Sequence, residues 1–500
     1  MNLKILNLIL ALNCLGLRSL LAQEKSLSGN DTLPFLQMEA NVFQYPNREA
    51  IQGFFRKWLS DTSCGIRIAH FGDSHVQPDL ATGITREIWQ NKKGSGGRGM
   101  IFPYSMAKTY SQNDYRSGFS GNWQTANSIQ NPPRQPVGVS GFTGITTDPQ
   151  AGFNFRFRKS LDSRPTNVKV FFERNVGGYL LELETCGAVY RQDLDSLSND
   201  SLPFLTFHVP QPGDTFSFRL RKTRPEGRFV LHGVCFDTDP NGLVYHNLGV
   251  GGACFQALQQ QVHFEEQMAQ LQPDLVVLDW GTNDILYTNR VGLEMENTIR
   301  STISRVRKVC PGATILLSSA QEMHRKRKSI SACQAWAALV KKVALEESCV
   351  FYDWFAVAGG RGSMAKWHAM GLAQNDKIHL SKKGYALKGQ LFHQALENSL
   401  RHFSDPDSGQ KLILSDGSNV LSESDSIENT LPEPQPSRSV EKQISNRAKR
   451  KKASRWYVVR PGDSLSVIAW KHGVSVSSLR KWNHLKNSRI NPGQKIRLSP

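Results

Sequence analysis

With 500 residues, 39% of them apolar, and a formal net charge of +18, the chain is too long for one compact core and basic enough to be drawn to polyanions. Eight scattered cysteines, with no C-x-x-C pair, exclude a zinc site of that pattern and a dense disulfide framework. Beyond its first residues no stretch is long and apolar enough to span a bilayer, so the rest of the chain is expected in water.

At the amino terminus, Lys4, a largely apolar run over 5–17 and the small Ala22 have the pattern of an export signal covering residues 1–22. An uncleaved anchor is disfavoured, because the run is shorter than the ~20 residues a spanning helix needs. Lipid attachment at Cys14 is disfavoured by the larger Asn13 before it. Export puts the protein in the periplasm or outside the cell and ranks wall polymers and anionic headgroups ahead of nucleic acid; no nucleic-acid partner is expected, nor any transmembrane segment in the mature chain. Removal of Cys14 leaves an odd seven cysteines, Cys64, Cys186, Cys235, Cys254, Cys310, Cys333 and Cys349, read mostly as small buried apolar residues.

Residues 66–71 read as a strand that runs into Gly72-Asp73-Ser74-His75, a tight turn that presents a serine. The cluster Gly94, Gly96, Gly97 and Gly99 reads as a flexible loop near the site. Phe153, Phe155 and Phe157 alternate with polar residues, and short apolar runs recur at 168–172, 179–183, 204–209, 216–220 and 229–236. Together they predict an antiparallel β-sandwich inserted over 119–238. Past it, 275–280, 314–317 and 350–352 read as buried strands, and 254–271, 291–309, 331–347 and 382–400 show helical spacing. Strand and helix alternate, so the fold class is α/β: a parallel sheet flanked by helices, split into 45–118 and 239–403 by the insertion. Residues 404–455 contain no aromatic side chain and are rich in Ser, Asp, Glu, Pro and Lys, which predicts a disordered linker. Its basic end, Arg447, Lys449, Arg450, Lys451, Lys452 and Arg455, reads as a solvated tract. Aromatic and apolar residues return over 456–500, marking a small separate domain.

Four separated blocks, around Ser74, Asn247 to Gly252, Asn283 and Asp376 to His379, carry the chemistry. In an open parallel sheet, reactive groups gather at the carboxyl ends of the strands, where Ser74, Asn283 and the Asp376-to-His379 segment are all expected. A serine hydroxyl attacks an ester once a neutral imidazole takes its proton, the role suited to His379. A carboxylate three residues earlier, Asp376, is placed to hold that imidazole's tautomer and stabilise its charged form. Three donors are candidates for the developing oxyanion: the Ser74 amide, an amide within Asn247-Leu248-Gly249-Val250-Gly251-Gly252, and the Asn283 side chain. His75, His324 and His368 lack metal-like spacing and are assigned structural or solvent roles; no metal or organic cofactor is implied.

These blocks, in this order, resemble the SGNH (GDSL-type) hydrolases, a family named for its serine, glycine, asparagine and histidine. The resemblance implies Ser74 as nucleophile, Ser74, Gly252 and Asn283 as the oxyanion hole, Gly251 being the alternative to Gly252, and Asp376 with His379 as the rest of a triad. The first block departs from many members in reading Gly-Asp-Ser-His where they carry leucine. The tail, from Trp456-Tyr457-Val458-Val459-Arg460-Pro461-Gly462-Asp463-Ser464-Leu465 through Asn491-Pro492-Gly493-Gln494, resembles a LysM domain, implying a β-α-α-β fold that binds N-acetylglucosamine-containing glycans such as peptidoglycan. The combination resembles bacterial peptidoglycan O-acetylesterases, some of which carry a carbohydrate-binding sandwich inside the hydrolase domain, which implies carbohydrate binding as a candidate role for 119–238. The expected function is therefore a secreted acetylesterase acting on the C6 O-acetyl group of muramic acid in cell-wall peptidoglycan through an acyl-enzyme on Ser74. The alternatives are a secreted esterase of another acetylated polysaccharide or lipid, and a non-catalytic peptidoglycan-binding protein.

Overall fold

The computed structural model describes residues 33–60, 65–159, 161, 164–174, 177–197 and 202–404, and in the tail 456–459, 468, 476–485, 490–491 and 493–499. The expected export signal, Cys64, most of the linker and its basic tract lie outside the described residues. The chain divides into two compact units, residues 1–416 and 417–500.

The first unit is built on six strands: β1 (Phe43–Gln44), β2 (Arg67–Gly72), β3 (Val244–Gly249), β4 (Leu275–Asp279), β5 (Thr314–Ser318) and β6 (Val350–Tyr352). They lie in the order β1-β6-β5-β4-β2-β3, parallel throughout except for the antiparallel edge strand β1. Every residue of β3, β4, β5 and β6 is buried, as expected of a sheet covered on both faces. Alternation divides the side chains between those faces. Ile68, Tyr245, Val277, Leu316 and Tyr352 pack with α1 (Glu49–Leu59), α2 (Ala81–Lys93) and α6 (Lys382–Ser404). Ala69, Phe71, Leu248, Val276, Leu317 and Phe351 pack with α3 (Phe264–Leu271), α4 (Leu293–Val309) and α5 (Ala332–Glu346).

Between β2 and β3 the chain forms two antiparallel sheets. One runs Ala188–Asp193, Tyr179–Thr185, Thr215–Lys222, Gly152–Phe157, Tyr115–Ser120; the other runs Phe204–Val209, Thr166–Phe172, Phe229–Asp237, Phe142–Thr146, Gln124–Asn127. Their inner faces meet through phenylalanines. Phe153 and Phe218 stack as neighbours within the first sheet with centroids 4.5 Å apart, and Phe236 of the second sheet reaches across to Phe216 at 4.8 Å. This core is continuous with the Ala69 and Phe71 face of the parallel sheet.

Two expectations are corrected here. The glycine cluster is not a flexible loop: Gly96, Gly97 and Gly99 are buried, and Gly99–Ile101 is a strand that pairs with Val234, Cys235 and Phe236. A Cβ on Gly97 (φ +124°) would lie 2.3 Å from the Phe236 carbonyl oxygen, so glycine is required by close packing. The helical stretch 254–271 breaks into Gln256–Gln259 and α3. The Arg305 guanidinium donates to the carbonyls of Leu258 (2.6 Å) and Gln261 (2.7 Å), satisfying groups at the break.

Cys235, Cys310, Cys333 and Cys349 are buried thiols and Cys186 is exposed; none of the six described cysteines is paired. Among the described residues no helix is long and apolar enough to cross a membrane. In the second unit, Trp456–Val458 pairs antiparallel with Lys495–Arg497, and helix Val476–Trp482 contributes Leu479 to a core with Val459, Ile468, Ile496 and Leu498. Asn483 closes this unit, donating to the carbonyls of Leu479 and Arg497, each at 2.8 Å.

Candidate active site

Register brings the chemistry to one edge. Gly72 at the end of β2 lies opposite Gly249 of β3 and Asp279 of β4. Ser74, Gly252 and Asn283 follow these three strand ends by two, three and four residues. The Ser74 turn is closed by the amides of Val76 (3.1 Å) and Gln77 (3.0 Å) on the Asp73 carbonyl, while the Asp73 carboxylate accepts the His75 amide at 2.8 Å. Burial pushes the Asp73 carboxyl up to about 6, against the opposing hydrogen bond from the His75 amide.

Ser74 Oγ lies 2.8 Å from His379 Nε2, and His379 Nδ1 lies 2.7 Å from Asp376 Oδ2. An ionised carboxylate only accepts, so Nδ1 carries the proton and Nε2 is free to accept the serine hydroxyl. The other Asp376 oxygen accepts the amides of Ile378 (2.9 Å) and His379 (3.0 Å), which folds the three-residue spacing back on itself. Partial burial by itself would raise the Asp376 pKa; hydrogen bonds from the His379 ring and from those two amides outweigh it and hold the carboxyl below its usual value.

On the opposite side, the Gly251 amide donates to Gln77 Oε1 at 2.6 Å and is thereby committed. Among the described residues, the amide hydrogens of Ser74 and Gly252 have no protein acceptor, which leaves both able to serve a ligand oxygen. Gly252 adopts φ +89°, a conformation that favours glycine. Asn283 Nδ2 donates to the Ala253 carbonyl at 2.8 Å, which fixes its amide group and leaves a second hydrogen to give.

Several supporting residues carry no motif. Fully buried Gln77 also donates to the Tyr110 carbonyl (2.8 Å) and to Thr109 Oγ1 (3.2 Å), tying the loop that precedes the sandwich to the Gly251 loop. Gln321 Nε2 donates to the Ile378 carbonyl at 3.0 Å and faces His75 Nε2 at 3.1 Å. The indole of Trp354, a donor only, bonds Gln321 Oε1 at 2.9 Å and so fixes the amide's orientation. His75 therefore accepts at Nε2 and donates from Nδ1 to the Tyr385 hydroxyl, 3.0 Å away. Its ring stacks on His379 with centroids 5.1 Å apart, and burial, reinforced by the His379 ring, holds its pKa well below the usual value. His324 places its backbone amide on the Lys377 carbonyl, and His368 Nε2 faces Asn375 Oδ1 at 3.1 Å. Beneath the site, Lys388 Nζ pairs with Asp279 Oδ2 at 2.9 Å, both side chains buried.

Residues 229–387 match the GDSL-like lipase/acylhydrolase family, a span that includes Gly252, Asn283, Asp376 and His379 but not Ser74, and residues 457–499 match the LysM domain. A 43-residue stretch is 51% identical to membrane-bound lytic murein transglycosylase D of Escherichia coli (strain K12), covering 9% of this chain and 10% of that protein. The chain thus spans about a tenth of the length of the curated relatives it matches. A solved structure described as a peptidoglycan O-acetylesterase in action is similar over 72% of this chain and 99% of that one, with a TM-score of 0.59 and 20% identity, a likeness of fold. A catalytic mutant of an acetylxylan esterase from Geobacillus stearothermophilus covers 31% of this chain and 73% of that one, with a TM-score of 0.26 and 22% identity.

Proposed function

We propose, from the premise that this chain is a serine ester hydrolase with a GDSL-like acylhydrolase domain and a LysM domain, that it is exported and removes O-acetyl groups from the muramic acid C6 position of peptidoglycan. The observation that carries the reading is the continuous file from Ser74 Oγ through His379 to Asp376, at 2.8 Å and 2.7 Å. In the proposed reaction His379 Nε2 takes the Ser74 proton as Oγ attacks the acetyl carbonyl. The oxyanion is received by the amides of Ser74 and Gly252 and by the free hydrogen of Asn283 Nδ2. Collapse of the tetrahedral intermediate breaks the ester bond, and the imidazolium gives its proton to the departing sugar oxygen. Water, activated by the same imidazole, then attacks acetyl-Ser74; acetate leaves and the serine is restored.

The LysM domain supports a wall glycan as substrate. Tethering the esterase to its polymer makes each further encounter intramolecular. The test is acetate release by wild type and by Ser74→Ala from O-acetylated peptidoglycan, from acetylated xylan and from 4-nitrophenyl acetate. Release from peptidoglycan by wild type alone supports the whole reading. A preference for xylan overturns the substrate, and equal rates for the two proteins overturn Ser74 as nucleophile.

A further inference from the structure

Beside the acid-base loop stands a two-stranded hairpin, His324–Arg325 paired with Lys328–Ser329. Its turn consists of Lys326 and Arg327, both in the left-handed region at φ +50° and +66°, where Asn and Gly are the residues that fit with least strain. The result is four consecutive cations, Arg325, Lys326, Arg327 and Lys328, all exposed. The hairpin is held against the site at two points. The His324 amide donates to the carbonyl of Lys377, the residue between Asp376 and Ile378, at 2.9 Å. Arg325 donates to the Tyr287 carbonyl at 3.1 Å and lies over the Tyr287 ring at 5.1 Å, four residues beyond Asn283. It therefore bridges the base and the oxyanion side of the site.

These charges are not neutralised by any of the described residues. Among the described residues no carboxylate lies within 4 Å of Arg325, Lys326, Arg327 or Lys328. The acid next in sequence, Glu322, is buried, and its two oxygens are taken by the Ser329 hydroxyl (2.6 Å) and the Met364 amide (2.9 Å). Exposed cations in a row repel one another only weakly through water, but together they hold a positive potential that favours an anion, most of all at low salt. Arg325 is anchored by its stacking, whereas the three residues at and after the turn have no such tie.

We propose that this hairpin is a carboxylate-binding subsite that recognises the stem-peptide carboxylates of the muramoyl residue whose ester is at Ser74, and so selects peptidoglycan over neutral acetylated glycans. The inference rests on the peptidoglycan reading and deepens it. A neutral acetylated xylo-oligosaccharide offers no such anion, whereas a muramoyl peptide carries its carboxylates on a branch of the acetylated sugar itself. Charged side chains at an exposed rim are screened by salt, so the selectivity is largest at low ionic strength.

The test is competitive inhibition of 4-nitrophenyl acetate hydrolysis by an acetyl-free muropeptide, either with free carboxylates or with all of them converted to carboxamides. The readout reports the esterase site alone and does not register binding to the LysM domain. Wild type is expected to bind the carboxylate form about tenfold more tightly at low salt, with the ratio shrinking as salt rises. In the triple variant Lys326→Glu, Arg327→Glu, Lys328→Glu the ratio is expected to fall to about one or below, while kcat/KM for 4-nitrophenyl acetate stays within about twofold. The glutamine triple variant, which adds no negative charge, is expected to lie between them. A ratio that is the same in all three proteins, or near one in wild type, overturns the hairpin's role while leaving the esterase reading standing. Absence of 4-nitrophenyl acetate hydrolysis by wild type overturns both.

Discussion

Replacing Gln77 with leucine tests whether the Gly252 amide works because its neighbour is clamped. The side chain is fully buried and makes two strong hydrogen bonds, from the Gly251 amide at 2.6 Å and to the Tyr110 carbonyl at 2.8 Å, besides a longer one to Thr109 Oγ1 at 3.2 Å. Leucine preserves bulk and leaves both backbone groups unpaired. At about 1–3 kcal/mol for each, less what water recovers near the half-exposed Tyr110, the variant should lose about 3 kcal/mol in a urea titration. The kinetic effect is separate. Removing one oxyanion donor outright costs about a hundredfold to a thousandfold, so loosening one of three should lower kcat for 4-nitrophenyl acetate by roughly tenfold to a hundredfold with little change in KM. Gln77→Glu keeps the acceptor for Gly251 but loses the donors, so it should be destabilised at least as much and yet retain more of kcat. Equal kcat losses in the two variants, or a leucine variant within twofold of wild type, would refute the clamp.

Three further outcomes follow from the same geometry. Lys388→Met should cost about 3–5 kcal/mol at neutral pH by stranding the buried Asp279 carboxylate, and Lys388→Met with Asp279→Leu should recover most of it; a double variant no more stable than the single one would contradict the pairing. Burial holds the pKa values of His70, His75, His232 and His246 below the usual value, His246 at about 3, so the unfolded chain takes protons that the folded one refuses. Stability is then complete above about pH 6.5 and falls on acidification. Asp73 and Asp284, raised by burial to about 6 and about 7, bind protons in the folded state and offset part of the loss. The urea midpoint should therefore drop between pH 7.5 and 5, and more steeply in Asp73→Asn; a flatter profile in that variant contradicts the sign. Removing residues 405–500 should leave kcat/KM for 4-nitrophenyl acetate unchanged and reduce acetate release from insoluble peptidoglycan by about a hundredfold; equal activity on the polymer would dismiss the tail as a tether.

What was legible in the sequence is what is encoded locally. Ser74 follows a strand, Asp376 and His379 are three residues apart, and both signals survive in a linear reading because one turn of chain builds each. Buried strands with regular alternation, such as 153–157 and 216–220, were legible for the same reason. Gln77 and Gln321 were not, since a single glutamine has no period and no motif. Their partners Gly251 and His75 lie 174 and 246 residues away in the chain. The choice between Gly251 and Gly252 could not be made from spacing; it turns on which amide Gln77 occupies. The stack of His75 on His379 was equally hidden, because sequence spacing tests a histidine for metal binding and has no signature for a neutral ring packed behind a base. The break in the helix before α3 depends on Arg305, some forty residues later.

The insertion between β2 and β3 has a consequence for how the enzyme comes into being. These two strands are parallel neighbours in the sheet, so the chain that leaves at the carboxyl end of β2 must return to the amino end of β3, and that crossover carries α2 and the whole β-sandwich. A nascent chain must carry Ser74 unsupported until the ribosome has passed the sandwich, then Gly252 and Asn283, and finally His379. Ser74, the proposed nucleophile, is synthesised first, and His379, its proposed base, follows more than three hundred residues later. An amino-terminal fragment that ends before His379 lacks the proposed base, so on this reading the chain stays inactive until residue 379 of its 500 has been added.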